Sequence, residues 1–169
     1  MTRTFLALLA LTACGPPSSS EETEPSVERC VLEDDGAGEA RQVEIGAHGA
    51  NGFEPYQEGQ DLELVWGMQG GVMITPAVRV EEAPGDPARL CVSLRLTHAL
   101  VDGDAPGLSP GLMLQIWLDA TGDHLVSPAI DDLLEFDPEP LADETLLLTA
   151  IVDGPVAGTA AVEVVLRSP

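Results

Sequence analysis

Two carboxylates in Asp119-Ala120-Thr121-Gly122-Asp123 are spaced closely enough to share a metal ion. Calcium is the ion this chemistry suits: a hard cation that takes about six to eight oxygens, from carboxylates and backbone carbonyls alike. Only two ligands are in view, the spacing departs from that of an EF-hand, and no closing Glu follows. An Asx-type turn between two strands is therefore the competing reading of the same residues. His48, His98 and His124 are scattered, each in or beside a loop, and no HExxH or i, i+4 pairing joins any two. No serine lies in a GxSxG, and the chain carries neither a P-loop nor a GxGxxG after a strand. Adjacent acids such as Asp131-Asp132 are what so acidic a chain presents by chance. The expectation is a protein that is not an enzyme. A hydrolase would require the fold to gather a dispersed His and Asp inward at one pocket.

The elements that must position these residues are strands. Leu90, Val92, Leu94 and Leu96 alternate with Cys91, Ser93, Arg95 and Thr97. Leu112, Leu114, Ile116 and Leu118 alternate in the same way with Met113, Gln115, Trp117 and Asp119. Period two of this kind marks a strand with one buried face. It recurs at Val43 and Ile45, along Leu62, Leu64 and Trp66, through Val72 to Val80, from Leu146 to Val152, and from Val162 to Leu166. Pro76 suggests an edge strand or a bulge, and residues 131–136 read equally as a short helix or a strand. Strands divided by Gly, Pro and Asp clusters predict an all-β domain, a single β-sandwich of the immunoglobulin or fibronectin kind. The immunoglobulin disulfide hallmark is missing: Trp66 stands too far beyond Cys30, and Cys91 points away from the Leu90/Val92/Leu94 face. The alternation sets Trp117 and Met113 on an outward face, either a contact surface or a patch covered by a loop or the second sheet.

The N-terminus has another character. Arg3 and the free amine precede an apolar run from Phe5 to Leu11, the layout of a secretory signal. As a helix that run rises roughly 10 Å, against about 30 Å of hydrocarbon, so it cannot span a membrane. Leu11-Thr12-Ala13-Cys14 resembles the lipobox of bacterial lipoproteins. The resemblance implies cleavage before Cys14, attachment of diacylglycerol to its thiol, and acylation of the new amine by a chain such as palmitate. Two or more acyl chains are what stable anchoring needs. It also implies a place in the cell envelope of a Gram-negative bacterium, with Gly15 rather than Asp after the cysteine favouring the outer membrane. Residues 1–13 are then the signal peptide, and residues 14–29 the lipidated cysteine and a disordered tether. The stretch GPPSSSEETEPSVE has too few apolar residues to offset the entropy of ordering it. Residues 30–169 form the sandwich.

With Cys14 assigned to lipid, Cys30 and Cys91 remain as an even pair in an oxidising compartment, and a disulfide between them is expected. It should pin the N-terminal arm to an outer face. The balance of 29 acidic against seven basic residues gives a net charge of −22. That charge repels nucleic acid and anionic lipid surfaces and maintains solubility. No cofactor is called for unless calcium binds Asp119 and Asp123.

Gln69-Gly70-Gly71 stands between two strands, where glycine supplies positive φ for a hairpin turn. A binding loop is the alternative. The run Trp66-Gly67-Met68-Gln69-Gly70-Gly71-Val72-Met73, followed by Arg79-Val80, resembles a group of uncharacterised lipoproteins from high-GC Gram-negative bacteria. Their strand leads into Gly-Pro-Gln-Gly-Gly-x-His. Here Met68 replaces the Pro and Met73 the His. The resemblance implies export and a β-sandwich and carries no activity. The expected role is binding or scaffolding on a membrane anchor, with a protein or other envelope partner. A calcium-dependent module is the runner-up.

Overall fold

The computed structural model describes residues 29–32, 38–67, 71–82, 85–101, 111–134 and 141–169. Cys14, the signal, most of the tether, Gln69 and Gly70 lie outside the described residues. Within them the chain is all β, with thirteen strands and no helix.

Two long strands near the C-terminus, β12 (Thr145–Asp153) and β13 (Val156–Arg167), form a hairpin around Gly154. β8 (Arg89–Leu100) pairs antiparallel with β12, and β9 (Leu112–Thr121) pairs antiparallel with β8. These four strands make one layer of the sandwich. The short β10 (His124–Val126) turns the corner, pairing with β9 on one side and β7 (Ala77–Glu81) on the other. β2 (Val43–Gly49) and β3 (Gly52–Pro55) complete the second layer. The path does not close. At its far end the outer edge of β13 is covered by two parallel segments, β1 (Glu39–Ala40) and β4 (Gln60–Glu63). A small second sheet continues the second layer: β5 (Val65–Trp66), β6 (Val72–Ile74) and β11 (Asp132–Leu133). The all-β sandwich expected from the alternation is what forms.

The core is the sum of the inward positions. Val92, Leu94 and Leu96 on β8, Leu146 and Leu148 on β12, and Val164 and Leu166 on β13 face Val43 and Ile45 on β2 and Val78 and Val80 on β7. All are buried. Each such side chain contributes about 1.5–3 kcal/mol relative to remaining exposed.

Two details differ from the sequence expectation, and a third resolves an alternative it contains. The stretch from Val72 to Val80 is two strands, because Thr75-Pro76 interrupts the ladder between β6 and β7. Pro76 still accepts from the Ile130 N–H through its carbonyl, the one backbone bond open to it. The alternation through Leu62, Leu64 and Trp66 is broken at Leu64, where the chain leaves the β13 edge for the small sheet; Trp66 is 57% exposed instead of facing inward. Residues 132–133, left open between helix and strand, are strand β11, running antiparallel to β6.

Candidate functional site

Alternation along β8 turns Cys91 outward with Arg89 and Ser93, directly opposite Trp117 on β9. Cys91 is bridged to Cys30, with the Cα atoms 5.4 Å apart. It is buried, yet it stands apart from the core cluster. The bridge thus ties the start of the folded domain to the outer face of β8. Beside it Arg89 Nε donates to Asp119 Oδ1 at 2.7 Å, and the guanidinium carbon lies 5.3 Å from the Trp117 ring centroid. Arg29, Arg89, Gln115, Trp117, Asp119 and Pro128 are among the residues lining a shallow groove of about 550 Å³ here. Farther along β9, Met113 is 66% exposed. Of the two readings of this face, exposure at Met113 favours a surface open to contact.

Asp119 and Asp123 have different basic neighbours. Asp119 faces Arg89, whereas Asp123 sits in the two-residue turn between Thr121 and His124, next to Gly122 at φ 70°. Its Oδ1 is 3.4 Å from His124 Nε2. Each carboxylate already has a basic neighbour, and among the described residues no three His, Cys, Asp or Glu side chains gather as a metal would require.

Gly67 donates its N–H to the Gly71 carbonyl at 2.8 Å, and Trp66 pairs with Val72, so antiparallel strands flank residues 68–70. Gly71 itself does not adopt the positive φ expected of it. Its constraint is packing: a Cβ there would come within 3.0 Å of Leu133 Cδ1.

The histidines separate into three environments. His48 Nε2 donates to the Ser127 carbonyl at 2.8 Å. His124 lies at the corner beside Asp123. His98 is not in a loop; it occupies an inward position of β8, paired across to Leu148. Its Nδ1 stands 3.8 Å from Asp132 Oδ2, beyond hydrogen-bond length, with side chains 0% and 4% exposed. Among the described residues, both His98 ring nitrogens and Asp132 Oδ2 lack a hydrogen-bond partner. Burial pushes His98 below the ordinary imidazole value, opposed by the Asp132 carboxylate; burial likewise pushes Asp132 up, opposed by His98. The local pattern that puts them there is visible in the sequence. His98 takes the inward slot between Leu96 and Leu100, and Asp132 the inward slot between Ile130 and Leu134. Their meeting joins the large sheet to the small one across the core. A buried His and Asp have therefore come together, enclosed between the layers.

Comparison of the chain with protein-family models, with curated proteins and with solved structures finds no match to any of them.

Proposed function

We propose that this protein is a lipid-anchored envelope protein that presents an acidic β-sandwich as a binding or scaffolding module. The observation that carries the reading is the Cys30–Cys91 bridge. It fits an oxidising compartment, and it fastens the domain where the tether from Cys14 ends. The lipobox residues Leu11 to Cys14 supply the anchor, and the outward face of β9 and β8, with Trp117, Met113 and the groove at Arg89, supplies the contact surface. Large aromatic and apolar groups beside guanidinium are the groups that dominate protein interfaces. Lipid attachment at the outer membrane follows from Cys14 and Gly15.

Trypsin cutting after Arg29 releases the stretch from Cys14 to Arg29 as a single peptide from the processed protein. Its mass should exceed that of the bare peptide by a diacylglyceryl group, and by one further acyl chain if the amine is also modified. A peptide of unmodified mass, or one that continues upstream of Cys14, would refute the anchor.

A further inference from the structure

β9 is paired along most of its length on one side only. β8 runs beside residues 112–119, whereas β10 covers just Asp119, Ala120 and Thr121 on the other side. After Val126 the chain leaves β9 and follows β7, with the Ser127 N–H donating to the Val78 carbonyl at 2.9 Å. Among the described residues, no strand lies against residues 112–118 on that side. Ala120 donates its N–H to the Ala88 carbonyl, which fixes the phase of the antiparallel ladder. Even-numbered residues of β9 bond to β8, and Met113 and Gln115 turn their N–H and C=O groups to the open side. Inward packing shows the same gap. Leu94 and Leu96 on β8 are buried, while Leu114 and Leu112, their partners across the ladder, are only partly so, as is Ile116. The groove of about 550 Å³ reaches this edge, with Gln115, Ile116 and Pro128 in its lining.

Proteins guard open edges with charges, prolines or covering segments. Both ends of the large sheet are guarded here: β1 and β4 cover β13, and β3 carries Glu54 and Pro55. Residues 112–118, LMLQIWL, hold no charge and no proline. We infer that the open edge of β9 receives an extended segment of a partner protein, which joins the sheet as a further strand. The chemistry of the edge sets what can occupy it. Backbone donors and acceptors at two-residue spacing are matched by another backbone, and not by lipid or by a flat protein surface. Side chains of the added strand at every second position lie over Leu112, Leu114 and Ile116 and are therefore apolar. Those between them stand beside a body of net charge −22, which favours lysine or arginine over carboxylate and repels a second copy of this chain. At about 3.4 Å per residue the edge is roughly 24 Å long, enough for an ordinary strand of about five or six residues. The inference names the partner for the binding role proposed above and rests on that reading.

The test uses the full-length lipoprotein in detergent and a synthetic nonapeptide in which valine alternates with threonine between terminal lysines. Amide hydrogen exchange is followed residue by residue by nuclear magnetic resonance. In the protein alone, Met113 and Gln115 should exchange fast and Leu114 and Ile116 slowly; saturating peptide should slow Met113 and Gln115 by about tenfold or more. Gln115→Pro removes an N–H that points away from β8, so the ladder stays whole. Peptide affinity, read by fluorescence anisotropy, should fall about tenfold in that variant as backbone hydrogen bonds are lost. Should the variant fail to fold, exchange in the wild type decides alone. Met113 and Gln115 amides that are already slow in the dilute protein, or that stay fast with peptide, overturn the inference. So does slowing that grows with protein concentration in the absence of peptide, which makes a second copy the occupant. Peptide that binds Gln115→Pro as tightly as the wild type overturns the edge site and leaves the binding role standing, and the N-terminal peptide mass reports the anchor separately.

Discussion

His98 and Asp132 stand 3.8 Å apart in the core, and among the described residues neither His98 ring nitrogen nor Asp132 Oδ2 has a hydrogen-bond partner, so their protonation bears directly on stability. Asp132 is raised by burial. Its favourable contribution is complete below the ordinary carboxyl value of about 4 and is lost as pH rises through the folded value. His98 is lowered by burial. Its contribution is complete above about 6.5 and is lost as pH falls from there through the folded value. Asp132→Asn at pH 8 removes a desolvated carboxylate and leaves a neutral imidazole, so it should stabilise the domain by on the order of 1 kcal/mol. That advantage should shrink as pH falls below about 6, where His98 without its carboxylate resists protonation more strongly. Urea unfolding of both proteins at pH 8 and pH 5.5 checks this; an Asn variant less stable at pH 8 would show the ionised pair to be net stabilising. Tyr56, the single tyrosine, is buried in the core, and its hydroxyl is pushed up to about 12 by desolvation. An ultraviolet titration should therefore show no phenolate near pH 10, the value of an exposed tyrosine.

Among the elements, β13 is tightly constrained where it passes the entry to β2. Gly158 has no positive φ, yet a Cβ there would stand 2.5 Å from the Arg41 carbonyl oxygen and 2.5 Å from Val43 Cγ2. Gly158→Ala should cost about 1–3 kcal/mol by forcing backbone apart, measured as a lowered denaturation midpoint. An unchanged midpoint would show that the entry to β2 yields freely. At β8 the disulfide closes a separation of 61 residues. In the chain-entropy model Cys91→Ser then costs about 4 kcal/mol, the upper end of what such bridges deliver. The long strands were legible because alternation is local: Leu90 to Leu96 and Leu112 to Leu118 declare their inner faces without help from other residues. Trp66 misled because its apolar neighbours Leu62 and Leu64 belong to a segment that changes sheets, and the bend at Leu64 is set by pairing with Arg167 at the far end of the chain. The His98–Asp132 contact was out of reach for the same reason. Each residue sits visibly in an apolar alternation, but their meeting depends on how two sheets stack. Local pattern at Gly71 speaks only of backbone freedom, whereas the neighbour that limits it, Leu133, comes from a strand whose own pattern fits helix and strand equally.

At the scale of the whole molecule, the acid-rich composition and the bridged domain accord with the proposed arrangement, in which lipid at Cys14 holds an acidic sandwich at a membrane. Among the described residues, Asp119 and Asp123 belong to no group of three or more potential metal ligands. Because Asp119 is committed to Arg89 and Asp123 lies by His124, added calcium at millimolar levels should leave the melting temperature unchanged; a rise of several degrees abolished by Asp119→Asn would restore the metal site. The arrangement stands or falls with Cys14. Cells supplied with labelled palmitate should incorporate label into the wild-type protein, whereas Cys14→Ser should remain unlabelled and accumulate as a precursor that retains residues 1–13. Label in Cys14→Ser at the wild-type level would contradict the account.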